Sequence, residues 1–311
     1  MQLVKYPIGM ADFEGIREGN YVYVDKTEYV HALASQGIYY FLGRPRRFGK
    51  SLFLNTLEAY FQGKRHLFKG LAIHRLEPGE WETFPVIHLD LTGKAYTDKD
   101  SLAKMLEDCL EKIERQHGLK KIDKPFDLQF QDLIETLKEK TGKKVVVLID
   151  EYDSPLSDVI DNPELFDHYR QQLHGFYSVL KKAEKCIRFC MLTGVTKFGK
   201  VSVFSGLNNL RDISFQDDYA GICGITKSEL YDYFKPGVEL LAQKMRVSLE
   251  EAFMQLKYHY DGYHFSAEML DIYNPYSVLN ALADRRFYGY WCASGVPTIL
   301  SKTLHNLDFD L

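Results

Sequence analysis

Gly49-Lys50-Ser51 and Asp150-Glu151 are the residues of this chain whose types and order suit phosphate chemistry. A lysine and a hydroxyl that close a turn can meet a polyphosphate. Backbone N–H groups cradle the phosphates, Lys50 adds a point charge, and the Ser51 hydroxyl ligates Mg2+. Two adjacent acids downstream supply the rest. Asp150 would hold Mg2+, directly or through water, and Glu151 would polarise an attacking water. The loop reads Arg44-Pro45-Arg46-Arg47-Phe48-Gly49-Lys50-Ser51-Leu52, and each of these residues is a candidate for nucleotide contact. It departs from G-x4-G-K-[ST] at one position: Arg44 stands where the first Gly belongs, and Gly43 comes one residue too early. An arginine there must tolerate the turn's backbone or reshape it.

Such residues work only if the right elements carry them. Residues 38–43 form an apolar run read as the first core strand, and the loop leads from it into a helical pattern. There Leu52, Phe53, Leu57, Tyr60 and Phe61 recur at helical spacing, and Gly63 is a C-cap candidate. Strand, loop, helix is the order a phosphate-binding loop requires. Lys143 to Asp153 reads KKVVVLIDEYD, a short Val- and Ile-rich run that predicts a buried parallel strand. Its C-terminal end, where Asp150 and Glu151 sit, is where open α/β sheets bind ligands. Further strands are predicted at 85–91, 188–195 and 212–215, and helices at 101–116, 130–140 and 168–182. The alternating stretch 20–25 reads as a short strand, with Asp25 and Glu28 as a capping box for the helix through Ala34. Asp153-Ser154-Pro155 is expected to break the chain into an acidic loop. The expected fold class is therefore α/β: a mostly parallel sheet with helices on both faces. The strand around Cys190 should lie between the Gly-Lys-Ser and Asp-Glu strands, as in the ASCE branch of P-loop NTPases. Residues 1–37 read as an N-terminal extension, 38–222 as the P-loop core, and 223–311 as a smaller helical lid or winged-helix-like subdomain. In the last, Thr226 and Glu229 form a capping box, with a helix ending at Pro236-Gly237 and two more at 248–260 and 274–283.

Secondary candidates each have a plain alternative. Thr193, at the tip of the 188–195 strand, suits contact with the γ-phosphate or its water, or simply a turn; Thr196, Lys197 and Lys200 follow it. Arg46 and Arg47 either contact phosphate or a partner, or are solvated or paired with acids of a neighbouring segment. Arg211 has the type of an arginine finger, but an exposed structural role fits as well. His88 reads as a core histidine. His259 and His264 have poor zinc spacing. The tyrosines near them, with Tyr288, Tyr290 and Trp291, suit packing better than single-stranded nucleic acid.

RPRRFGKS followed by LIDEYDSPL resembles the AAA-ATPase-like proteins common in gut bacteria, relatives of archaeal and STAND-type ATPases. Further matching stretches are 23–27, 192–200, 204–210, 260–264 and 273–277, so the resemblance spans nearly the whole chain. It implies ATP and Mg2+ as ligands, with residues 1–37 as an N-terminal extension packing on the core. Members of that family often continue into a PD-(D/E)xK nuclease-like domain, which is not found in this sequence.

Composition sets the outer bounds. The 39 basic and 43 acidic residues nearly cancel, for a net charge of −4, which does not support a nucleic-acid platform. No signal peptide and no apolar run near ~20 residues is present, so the expectation is a cytoplasmic protein without a membrane partner. Of five cysteines, Cys186 and Cys190 at i, i+4 lack a matching pair, and packing outweighs ligation. The leading reading is a Mg2+-dependent ATPase that drives a conformational switch. The alternatives are a nucleotide-gated interaction module with little turnover, or a nucleic-acid-directed ATPase of a defence or mobile-element system. A protein client is unidentified and a homo-oligomer is compatible with the sequence.

Overall fold

The computed structural model describes residues 4–93, 96–195 and 209–291. Strands β1 (Tyr39–Gly43), β2 (Val86–Asp90), β3 (Val145–Asp150), β4 (Ile187–Gly194) and β5 (Arg211–Asp212) lie in the order β2-β3-β4-β1-β5, and their pairings are parallel. The Cys190 strand, β4, thus separates β1 from β3, as expected. A parallel sheet must bury both faces, and the period of two divides the side chains between them. Tyr39, Phe41, Val145, Val147 and Ile149 join one core; Tyr40, Leu42, Val146 and Leu148 join the other. The second face is covered by α1 (Phe13–Glu18), α2 (Thr27–Gln36), α3 (Lys50–Phe61) and α4 (Ala72–Leu76). The first is covered by α5 (Ser101–Gln116), α6 (Phe126–Thr141), α7 (Ser154–Asp158) and α8 (Pro163–Lys182). The fold class is α/β, as the alternation of elements predicts.

A third core belongs to the C-terminal module. Strand β6 (Ile225–Thr226) is followed by α9 (Lys227–Met245), α10 (Leu249–Tyr260), β7 (Ile272–Tyr273) and α11 (Pro275–Asp284). β6 and β7 pair antiparallel, and Leu230, Phe234, Val238, Leu256 and Val278 meet between the helices. The capping box at Thr226 and Glu229 is present. Lys26 fastens this module to the body. Its Nζ donates to both Glu229 carboxylate oxygens (2.6 and 2.7 Å) and to the Gly221 carbonyl (2.7 Å). Among the described residues no helix is long and apolar enough to cross a membrane.

Four local expectations need correction. Helix α9 runs through Pro236. Pro236 is exposed, so water can serve the carbonyl it leaves without a donor, while Phe234 and Val238 keep the helix on its apolar face. The stretch 20–25 joins no sheet, and Asn20 stands in a turn at φ 53°. Its alternation is real: Tyr23 enters the core around α3, whereas Val22 and Val24 pack on the C-terminal module. Lys26, rather than Asp25, is the N-cap of α2. The Asp25 carboxylate accepts from Thr27 N–H (2.9 Å) and Ala72 N–H (2.7 Å), which joins the starts of α2 and α4. The segment after Asp153 makes the short helix α7, with Pro155 in its first turn, where proline costs no hydrogen bond.

Candidate nucleotide site

The loop after β1 turns on two left-handed residues, Arg47 (φ 67°) and Gly49 (φ 96°). Left-handed residues among right-handed ones aim successive N–H groups into a concave, anion-binding nest. Space around a Gly49 Cβ would be open, so glycine serves the backbone angle there. Helix α3 begins at Lys50 and points its positive end at the same place. Lys50 is 3% exposed. Its Nζ donates to the carbonyls of Arg44 (3.1 Å) and Pro45 (3.3 Å) and lies 3.0 Å from Glu151 Oε1. The two motifs, about a hundred residues apart in sequence, thus meet as an ion pair.

Arg44 occupies its position without a positive φ, so this turn does not need the glycine it replaces. Its guanidinium leaves the loop. It donates to the carbonyls of Gly43 (3.0 Å), Ser214 (2.5 Å), Tyr219 (3.0 Å) and Ala220 (3.4 Å), and stacks over Phe265 at 4.1 Å. Burial pushes its pKa down to about 10, which still leaves it charged at neutral pH. As a candidate for nucleotide contact the Arg44 side chain is therefore corrected to an internal strut, because carbonyl dipoles and a ring face already hold the charge. Phe48 follows the same logic. Its ring is buried edge-on to Tyr263 (4.7 Å) and Phe265 (5.6 Å), and its carbonyl accepts from Gly224 N–H (3.0 Å). Only the backbone of these two residues is left to face a phosphate. Arg46 and Arg47 are exposed.

Asp150 is 4% exposed at the tip of β3. It accepts from Glu151 N–H (3.0 Å) and from the Thr193 hydroxyl, a short hydrogen bond across adjacent strands. Thr193, expected at the γ-phosphate, is instead spent on orienting this carboxylate. The register that sets Ile149 beside Leu192 brings the next residue of each strand together. Glu151 sits in the left-handed region (φ 49°), an uncommon conformation for its type that turns its carboxylate toward Lys50. Burial raises the Glu151 carboxyl above its ordinary range, Lys50 opposes the rise, and Asp150 and Asp153 add to it. Asp153 accepts from Val195 N–H (3.1 Å), fixing the end of β4. A Cβ on Gly194 would lie 2.5 Å from the Tyr152 ring and 2.6 Å from Asp153, which explains glycine at that tip.

Arg47, Lys50, Ser51 and Glu151 line a cleft of about 420 Å³, whose opposite walls are Pro7–Ala11 and the start of α11 at Pro275 and Tyr276. That size suits a small-molecule ligand. Pro7, Gly49, Leu52, Pro275 and Leu279 also line an adjoining pocket of about 90 Å³, where Val22, Val24, Ile222 and Ile225 make an apolar wall. Reading the sequence missed both walls. Residues 7–11 carry no chemistry-bearing type, and the signals at 274–276 were a helix start and a stretch shared with the resembled family, neither of which points to a cleft wall. Their role comes from tertiary packing alone. His259 and His264 do not meet: His259 stacks on Phe287 (5.2 Å), and His264 contacts the Leu270 carbonyl (3.3 Å). Arg211 donates to the Gln216 side chain (2.8 Å) and is structural. Thr196, Lys197, Lys200 and Cys292 lie outside the described residues.

Residues 7–204 match the family model described as predicted AAA-ATPase. A protein of Azotobacter chroococcum mcd 1, described as an uncharacterized protein in the vnfD 5′ region, is 39% identical over 306 residues, covering 98% of this chain and 57% of its own length. The chain thus spans little more than half of that curated relative. Among solved structures, the Aeropyrum pernix ORC2 protein in its ADPNP–ADP complexes is 13% identical and covers 99% of this chain and 71% of its own, with a TM-score of 0.39, too slight a likeness to bear on function. The loop and both acids fall inside the matched stretch, and the chain belongs to the predicted AAA-ATPase family.

Proposed function

We propose that this protein binds ATP with Mg2+ and hydrolyses it, and that occupancy of the cleft switches the conformation of the C-terminal module. The observation that carries the reading is the Lys50–Glu151 pair at 3.0 Å, which brings the phosphate loop and the acid pair into one cleft. The donor set suits the ligands. The nest and Lys50 match phosphate charge, and a buried, hydrogen-bonded Asp150 with the Ser51 hydroxyl offers the hard oxygens that Mg2+ prefers. The apolar pocket beside the loop suits a base. When bound, Mg2+ would neutralise charge developing on the phosphates.

The chain's own residues do the rest. Lys50 moves from Glu151 to the phosphates, which frees the carboxylate to take a proton from the attacking water. Thr193 and the Glu151 amide hold Asp150 in place. Asp153 keeps the tip of β4 beside it. Steady-state phosphate release from purified protein tests the reading, with and without Mg2+ and beside Lys50→Ala. Mg2+-dependent multiple turnovers, lost in Lys50→Ala, are expected. Tight binding of ATP with no turnover would leave the nucleotide-gated module in place of the enzyme; no binding at all would refute both.

A further inference from the structure

Two cations line the phosphate cleft, and only Lys50 belongs to the standard loop chemistry. The other is Arg47. Its left-handed backbone would suit glycine or asparagine, yet it carries a long cationic side chain across the cleft to the opposite wall. There its guanidinium lies over the ring of Tyr276, 4.1 Å from the centroid. Tyr276 is in the first turn of α11, behind an N-cap in which the Asn274 side chain accepts from Ser277 N–H at 2.9 Å. The ring is half-buried against the core of the C-terminal module, so its position is fixed by that module and not by the loop.

Stacking uses the face of a guanidinium, whereas phosphate recognition uses its edge, where the N–H donors lie in a planar fork. A guanidinium held over a ring by its face can turn its N–H edge to an anion beside it. On the reading that this cleft holds ATP, we propose that Arg47 binds the triphosphate in cis and that Tyr276 is its positioning residue. The C-terminal module would then recognise the triphosphate through one aromatic ring, and occupancy of the loop would be linked to the placement of α11. Arg44 and Phe48 also meet the segment between α10 and β7, through Phe265, which packs in the core around α3.

Affinity for a fluorescent ATP analogue tests this in the full-length wild-type, Arg47→Gln, Tyr276→Leu, Tyr276→Phe and the Arg47→Gln/Tyr276→Leu double variant, with Lys50→Ala as reference. Arg47→Gln should weaken binding by about tenfold, the scale of a charge-assisted phosphate contact. Tyr276→Leu, which keeps apolar bulk and loses the π-face, should weaken it by about three- to tenfold, and Tyr276→Phe should restore it. Because one residue acts through the other, the double variant should bind no more weakly than Arg47→Gln alone. Melting temperatures without nucleotide should be alike for the Tyr276 variants. If Lys50→Ala abolishes binding while Arg47→Gln and Tyr276→Leu match wild-type, or if their losses simply add, the proposal is wrong although the ATP site stands. If wild-type binds no ATP, the site reading falls and takes this proposal with it.

Discussion

Glu151→Gln separates binding from chemistry, and the structure sets the size of both effects. Lys50 and Glu151 lie 3.0 Å apart, with side chains only 3% and 17% exposed. In a medium of effective dielectric ~20 such a pair attracts by about 5.5 kcal/mol. Desolvation of the two charges cancels most of this, leaving a net of about 1–2 kcal/mol, above that of an exposed pair at ~0–1 kcal/mol. A triphosphate must pull Lys50 out of that pair. Replacing the carboxylate by an amide of the same shape removes the competition, so we expect ATP to bind more tightly by about 1–2 kcal/mol, or roughly 5- to 30-fold. Turnover should fall by about a hundred- to ten-thousand-fold, the range of a lost general base. There is a stability signature as well. Burial raises the Glu151 carboxyl above its ordinary 4.5, so the folded state holds this proton more tightly than the unfolded chain. Its contribution is therefore full below the unfolded pKa and is lost as pH rises through the folded one. Glu151→Gln should remove that part of the pH dependence on the alkaline side of 4.5. Equilibrium titration of a fluorescent analogue, single-turnover phosphate release and melting at several pH values measure these three. If the variant binds ATP no better than the parent and hydrolyses it at the parent rate, both the competition and the base assignment are wrong.

Restoring the motif's glycine with Arg44→Gly should harm the protein. Four carbonyls, three of them buried, lose their donor, and a loss of about 3 kcal/mol or more is expected in denaturant unfolding. Lys26→Met leaves the Glu229 carboxylate uncompensated beneath the C-terminal module and should destabilise by about 3–5 kcal/mol. Adding Glu229→Leu should recover part of that, as double-variant melting curves would reveal. Gly194→Ala drives a methyl into Tyr152 and Asp153, and should cost about 1–3 kcal/mol while slowing phosphate release through displacement of the β4 tip.

Much of the architecture was legible because buried parallel strands announce themselves as short apolar runs, and because glycine, lysine and acids mark the strand ends where ligands bind. The strand of residues 145–150 needed nothing more than Val-Val-Val-Leu-Ile before its aspartate. The cleft was only half legible. Its floor consists of residue types with recognisable chemistry, whereas its walls, around Pro7–Ala11 and Pro275–Leu279, are brought in from stretches far away in the chain. No periodicity reports that. Pro236 shows the opposite failure: a local breaker signal gave way to an apolar face that continues past it.

Arg44 makes the general point sharpest. A motif assigns roles by position, and at that position an arginine suggests either a damaged loop or an extra phosphate ligand. Both readings assume that the side chain stays with the loop. A guanidinium carries five donors, and here acceptors stand close by in the carbonyls after β5, clustered under Phe265. The charge goes where the carbonyls are, while the backbone, freed from any need for positive φ, completes the loop as glycine would have done. The residue that breaks the motif is thus a strut between the loop after β1 and the segment after β5, closed over by Phe265. A glycine could make no such strut.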